Sequence, residues 1–114
     1  MTNYQKNLCE PWFTLLKLGI KTVEGRLNKH EFIDMKIGDY ITFKNMDLGF
    51  ERTVKLEIKS ISVYDNFTTY LEKETLANCL PGIETLEEGL KVYKRYYPEY
   101  SPLTDISVIK AFHF

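Results

Sequence analysis

The sequence has few of the residues that would indicate a metal centre, a disulfide framework or a membrane span. Its 114 residues include two cysteines and two histidines, which lie far apart and show no metal-ligand spacing. The cysteines are therefore expected to be free thiols. No apolar run approaches the roughly 18 residues of a membrane span, and the first residues lack the apolar stretch of a signal peptide. We expect a cytoplasmic protein with no metal, no cofactor and no membrane partner.

An excess of charge of one sign is also lacking. Fifteen lysines and arginines face sixteen aspartates and glutamates, for a net charge of −1. This balance argues against tight nonspecific binding to a long nucleic acid, because such binding needs many phosphate contacts. The charge is uneven along the chain, however, since residues 1–30 carry five cations and two anions. A local basic surface can therefore form around this segment.

Apolar and aromatic residues, in contrast, are plentiful. Hydrophobic residues make up 44% of the chain, with eight tyrosines, seven phenylalanines and one tryptophan. This composition is sufficient for a hydrophobic core, and it excludes a disordered chain. The length suits one domain, so residues 1–114 are expected to form a single domain.

The order of the predicted elements is that of an α+β fold. Short helices are predicted after Pro11 and after a cap at Asp65 or Asn66, and a longer helix runs from the capping box at Thr85 to Pro98. Strands are predicted over residues 4–8, 22–27, 40–44, 51–63 and 106–112. Because the strands do not alternate regularly with helices, a small curved sheet or barrel with helices at its side is favoured.

The longest predicted strand contains a change of parity. Apolar residues alternate regularly from Val54 to Ile58, but Ile61 and Val63 take the opposite parity. A regular strand would turn these two residues away from the core. The pattern therefore predicts a bulge or break at Lys59-Ser60, which returns both residues to the core.

The segment from Gly19 to Arg26 carries the most informative polar residues. In a strand starting at Thr22, the side chains of Thr22, Glu24 and Arg26 project to one face, and Lys21 lies at the corner before them. If that face lines a cleft, these groups can bind a polar planar ligand, because arginine supplies a fork of donors and glutamate accepts from N–H groups. Spacing alone favours the alternative, in which Glu24 pairs with Arg26 or Lys21 on a solvated strand.

Aromatic residues near the chain ends supply candidates for base stacking. Tyr96 is the best candidate for a surface contact of this kind. Tyr93 and Tyr97 lie on the apolar stripe of the late helix, so both are expected to pack in the core. Trp12 is also expected in the core or at its rim. Lys29 would extend a basic surface beside the polar segment.

Two motifs resemble a known family. The pattern Gly-x-Lys-Thr-x-Glu-x-Arg over residues 19–26 is followed by Gly-Asp-x-Ile-x-Phe over residues 38–43. Together they resemble the ASCH domain of the PUA-like superfamily. The resemblance covers nearly the whole chain and implies a small PUA-like β-barrel with flanking short helices.

The same resemblance implies a ligand. ASCH domains are generally proposed to bind RNA or nucleotides, and the resemblance places Lys21, Glu24 and Arg26 at the mouth of a cleft beside the barrel. With Lys29 and Tyr96 they form the expected ligand-binding set. RNA or a nucleoside or nucleotide is accordingly the expected partner.

Two other functions remain open at this point. One bacterial branch of the family hydrolyses N4-acetylcytidine with a lysine, a threonine and a glutamate, so an amidohydrolase acting on an acylated nucleoside is the first alternative. Lys21 would be the base, Thr22 the nucleophile or Glu24 the activator of water, and Arg26 would stabilise the oxyanion. The second alternative is a protein-interaction adaptor, in which the same charges contact a protein partner.

Overall fold

Two three-stranded sheets and a group of short helices make up the computed structural model, which describes residues 1–98 and 108–114. This element composition confirms the predicted α+β class. In chain order the elements are β1 (Asn3–Asn7), α1 (Trp12–Lys17), β2 (Val23–Leu27), a 3₁₀ helix (His30–Ile33), β3 (Tyr40–Asn45), β4 (Arg52–Glu57), β5 (Ser60–Tyr64), α2 (Phe67–Glu74), α3 (Leu76–Cys79), α4 (Leu86–Tyr96) and β6 (Ile109–His113).

Among residues 1–98 and 108–114, the strands form two separate sheets and not the closed barrel that the sequence resemblance implies. One sheet has the order β1-β3-β4, with β1 parallel to β3 and β3 antiparallel to β4. The other has the order β2-β6-β5 and is antiparallel throughout. Within the described ranges no ladder joins the two sheets, so the barrel is not confirmed. The open arrangement leaves β2 as an outer strand, and the candidate site lies along it.

The predicted break in the long strand is confirmed. β4 ends at Glu57, β5 begins at Ser60, and the two belong to different sheets. Ile58, between them, is fully buried. The expectation that Val63 returns to the core is wrong, because its side chain is 56% exposed. β5 is an edge strand, and Val63 lies opposite Lys110 and not opposite an apolar residue.

The late helix and the closing strand enclose the core from two sides. Thr85 caps α4 by accepting a hydrogen bond of 3.2 Å from the Glu88 N–H, as the capping box predicts. β6 lies between β2 and β5, and its residues from Ile109 to Phe112 are all buried. This confirms a central strand that is buried on both faces. Residues 106 and 107, the start of the predicted strand, lie outside the described residues.

β2 packs closely on helix α2 at a glycine. A Cβ atom at Gly25 would lie 2.3 Å from the ring carbon Cζ of Tyr70. Tyr70 is fully buried, and its hydroxyl lies 3.0 Å from the hydroxyl of Tyr93 on α4. Only glycine permits this approach of strand and ring. The contact fixes α2 and α4 against β2.

The remaining features of the fold concern thiols and membranes. Both cysteines are free thiols, with Cys79 buried and Cys9 half-buried. No helix in the described part of the chain is long and apolar enough to cross a membrane.

Candidate ligand-binding pocket

A cavity of about 360 Å³ lies at the outer edge of β2, between that strand, the start of α1 and helix α4. We call it the pocket. Its lining combines buried charges with aromatic and aliphatic side chains. The lining residues are Asn7, Leu8, Cys9, Trp12, Lys21, Glu24, Gly25, Arg26, Leu80, Val92, Tyr93, Tyr96 and Tyr97. A concave, mainly apolar cavity with a few convergent polar groups is typical of a small-molecule site.

Three charged residues form the polar floor of the pocket. Glu24 is 6% exposed, and its two carboxylate oxygens bind different cations. Oε1 lies 3.1 Å from Nζ of Lys21, and Oε2 accepts a 2.7 Å hydrogen bond from Nε of Arg26. The predicted pairing is therefore present, but it occurs inside a cavity and not on a solvated strand.

Lys21 is held by further contacts with the backbone. Its side chain is 1% exposed, and Nζ donates hydrogen bonds of 2.5 Å to the carbonyl oxygens of Val23 and Cys79. With Glu24, this gives the ammonium three acceptors for its three protons. Lys21 thereby joins β2 to the end of α3 and keeps the Glu24 carboxylate in place.

The charges of the floor stabilise one another. Burial acts to raise the pKa of the Glu24 carboxyl, but the charges and hydrogen bonds of Lys21 and Arg26 outweigh it, so that the pKa lies below its ordinary value. Glu24 is thus a carboxylate between two cationic side chains. The floor carries an excess of positive charge, which favours a ligand rich in acceptors.

Arg26 is more enclosed than its sequence position suggests. Its side chain is 19% exposed, and the guanidinium lies 5.5 Å from the ring centre of Phe32. One terminal nitrogen, Nη2, donates a 3.0 Å hydrogen bond to the carbonyl oxygen of Asn7. The other, Nη1, has no acceptor among residues 1–98 and 108–114. Arg26 therefore retains donors that can reach a ligand.

In the described part of the chain, four aromatic residues line the pocket beside the charged floor: Trp12, Tyr93, Tyr96 and Tyr97. Tyr96 is 44% exposed at the mouth, where its hydroxyl lies 2.5 Å from the Cys9 sulfur. Tyr93 and Tyr97 stack on Phe67, with ring centres 4.4 and 5.7 Å away. Both tyrosines are thus packing residues, as expected from the helical stripe, and they also line the pocket.

Two of the expected site residues lie outside the pocket lining. Thr22 connects structural segments: its N–H donates to the carbonyl oxygen of Asn78 and its own carbonyl accepts from Phe114. Lys29 is exposed at the start of the 3₁₀ helix. Leu80 and Val92, in contrast, line the pocket although no pattern in the sequence indicates that they would.

Metal ligands do not gather in the described part of the chain. No group of three or more histidine, cysteine, aspartate or glutamate side chains lies close enough there to hold a metal ion.

The charged floor predicts a specific loss of stability in acid. Because the folded-state pKa of Glu24 lies below the ordinary value of 4.5, ionised Glu24 contributes stability that is fully present above pH 4.5. This contribution is lost as the pH falls through the lower, folded-state value. Urea unfolding below pH 4.5 should therefore show a steeper fall in unfolding free energy for the wild type than for Glu24→Gln. Parallel losses in the two proteins would show that Glu24 does not contribute in this way.

Sequence and structure comparisons identify relatives of this chain. The ASCH domain family model matches residues 7–114. The crystal structure of hypothetical protein PH0355 is 35% identical, with a TM-score of 0.82, and the match covers 98% of this chain and 96% of that chain. The solution NMR structure of protein PF0455 from Pyrococcus furiosus is 36% identical, with a TM-score of 0.73, over 98% of this chain and 94% of that chain. No curated protein matches the sequence.

Proposed function

This chain belongs to the ASCH domain family, and on that basis we propose that it binds RNA or a nucleotide by taking one base into the pocket. The family is generally linked to RNA binding. The observation that carries the proposal is a cavity of about 360 Å³ that combines aromatic walls with a buried, charged floor. A base needs both features, because its faces stack on aromatic rings and its edges form hydrogen bonds.

The position of the charges favours recognition of a single nucleotide over tracking along a strand. Lys21 and Arg26 line the pocket, where they bind Glu24, and neither is fully exposed. The chain as a whole has a net charge of −1. Many phosphate contacts along a polynucleotide would need more exposed cations. We therefore expect weak salt dependence and an affinity that depends on the base.

The geometry supports binding better than amide hydrolysis. A general base needs an open site for the proton it accepts, but all three protons of Lys21 have acceptors and both oxygens of Glu24 have donors. Thr22, the candidate nucleophile, does not line the pocket. The adaptor function gains no specific support, because Lys21 and Glu24 are buried and Arg26 is largely enclosed, so that these charges are not displayed on an open surface.

Tyr96 provides the test of base stacking. If a base stacks on its ring at the mouth, Tyr96→Ala should weaken binding of a short single-stranded RNA by about 1–3 kcal/mol, which is roughly 5- to 150-fold. Tyr96→Phe keeps the ring and should bind nearly as the wild type does. Calorimetric titration of each variant with the same RNA measures these differences.

A matched control is available at another exposed aromatic residue. Phe50 is 57% exposed and does not line the pocket. Phe50→Ala should leave RNA affinity unchanged. Equal losses from Phe50→Ala and Tyr96→Ala would contradict the proposal, because they would mean that RNA binds across the outer surface.

A further inference from the structure

The outer edge of β2 carries backbone groups that the sheet does not use. In an antiparallel ladder, residues alternate between hydrogen-bonded and non-hydrogen-bonded pairs. Thr22 accepts from Phe114 and Asn28 donates to Val108, one on each side of the β2–β6 ladder. These bonds fix the alternation, so the backbone groups of Gly25 point away from β6. Gly25 also lines the pocket, and its N–H and C=O therefore face the cavity.

The neighbouring outward positions on β2 are occupied by partners from the same chain. The carbonyl oxygen of Val23 accepts from Lys21. At Leu27, the carbonyl accepts from the N–H of Lys29. Among residues 1–98 and 108–114, neither the N–H nor the C=O of Gly25 has a partner on this side. A buried backbone donor and acceptor without partners are uncommon, and they indicate a place for a ligand.

The absence of a side chain at Gly25 keeps this edge accessible. Any Cβ would lie 2.3 Å from Tyr70, whose ring is fully buried and whose hydroxyl contacts Tyr93. The glycine is thus required by packing on the helix side of the strand. On the pocket side, the backbone of Gly25 is therefore not covered by a side chain of its own. Glu24 and Arg26 precede and follow it in the pocket lining.

We propose that the N–H and C=O of Gly25 bind the hydrogen-bonding edge of the base, in the way that an edge strand accepts a further strand. This inference rests on the proposed function and specifies how the site recognises the base. The two backbone groups lie side by side and point the same way. Their ligand must therefore present an acceptor next to a donor in one plane, as the Watson–Crick edge of a nucleobase does.

The proposal predicts strong discrimination against bases that are methylated on this edge. A methyl group on the ring nitrogen removes a donor or blocks an acceptor and leaves a buried backbone group of Gly25 unpaired. Leaving such a group unpaired should weaken binding by about 5- to 150-fold. N1-methylguanine and N3-methyluracil remain neutral, so Arg26 and the aromatic walls would contact both forms of these bases alike and do not account for such a difference.

The experiment uses the intact protein, because Gly25→Ala is expected to disturb packing against Tyr70. The ¹⁵N-labelled chain is titrated with adenosine, guanosine, cytidine and uridine, and with a short RNA that contains all four bases. The tighter-binding of guanosine and uridine is then compared with its N1-methyl or N3-methyl form, because these two methylated bases stay neutral whereas N1-methyladenine and N3-methylcytosine are cations at neutral pH. Hydrogen exchange of the Gly25 amide is followed in the absence and presence of the ligand, with the amide of Arg26, which points toward β6, as the control.

Three outcomes separate this inference from the proposed function. Binding that slows Gly25 exchange at least tenfold more than Arg26 exchange, together with a weaker methylated ligand, supports the inference. Binding that leaves Gly25 exchange unchanged, or equal binding of the methylated form, overturns it while the proposed function stands. Absence of binding by all four nucleosides and by the RNA overturns both.

Discussion

Glu24→Gln is expected to lower the free energy of unfolding by about 3 to 5 kcal/mol, the usual cost of removing one partner from a buried ion pair. Glu24 binds Lys21 and Arg26 at distances of 3.1 and 2.7 Å. The glutamine is similar in shape but carries no charge, so two cationic side chains remain in the floor without a counter-ion. Urea unfolding at neutral pH, followed by circular dichroism, measures the loss.

The control for this prediction is a glutamate that pairs on the surface. Glu87 lies 3.7 Å from Lys91 on α4, and both side chains are more than 70% exposed. Glu87→Gln should change the unfolding free energy by no more than about 0.5 kcal/mol. A similarly small change for Glu24→Gln would show that the charged floor does not contribute to folding, and that burial of Lys21 does not depend on Glu24.

Arg26→Ala is expected to weaken binding of RNA or nucleotide by about 2 kcal/mol or more, which is roughly 30-fold. Nη1 of Arg26 has no acceptor in the described residues, and the Arg26 side chain, which is 19% exposed, lines the pocket. The alanine removes this donor, while Glu24 keeps its contact with Lys21. Titration calorimetry gives the affinity, and urea unfolding of the same samples gives the stability.

Arg26→Lys separates the shape of the guanidinium from its charge. Lysine keeps the positive charge but loses the planar fork of donors. A site that depends on the fork should not be rescued by lysine, whereas simple attraction to phosphate should be largely rescued. Wild-type affinity in Arg26→Ala would show that Arg26 does not contact the ligand. Unfolding of Arg26→Ala would assign the residue to the fold, through its bonds with Glu24 and Asn7.

The parts of the fold that depend on local patterns could be predicted from the sequence. The parity change after Ile58 indicated the break between β4 and β5, because a one-residue shift reverses the faces of a strand. The capping box at Thr85 indicated the start of α4. The motif segment likewise indicated that Lys21, Glu24 and Arg26 come together, since alternate residues of one strand share a face and Lys21 lies at the corner before that strand.

The parts that depend on contacts between distant segments could not be predicted. Leu80 lines the pocket from the end of α3 and Val92 lines it from α4. Leucine and valine are common in any core, so neither residue type indicates a ligand site. The exposure of Val63 follows from the strand order, which places β5 at an edge. Arg26 is enclosed by the carbonyl of Asn7, which precedes it in the sequence, and by the ring of Phe32, which follows it.

The most direct test of the central claim, that a base enters the pocket, uses the fluorescence of Trp12. It is the only tryptophan of the chain, and it lines the pocket. The wild-type protein is titrated with a short single-stranded RNA and with single nucleotides. We predict a saturable change in Trp12 emission with both, because a bound base would lie within the same cavity as the indole. RNA binding detected by calorimetry without any change in Trp12 emission would contradict the account.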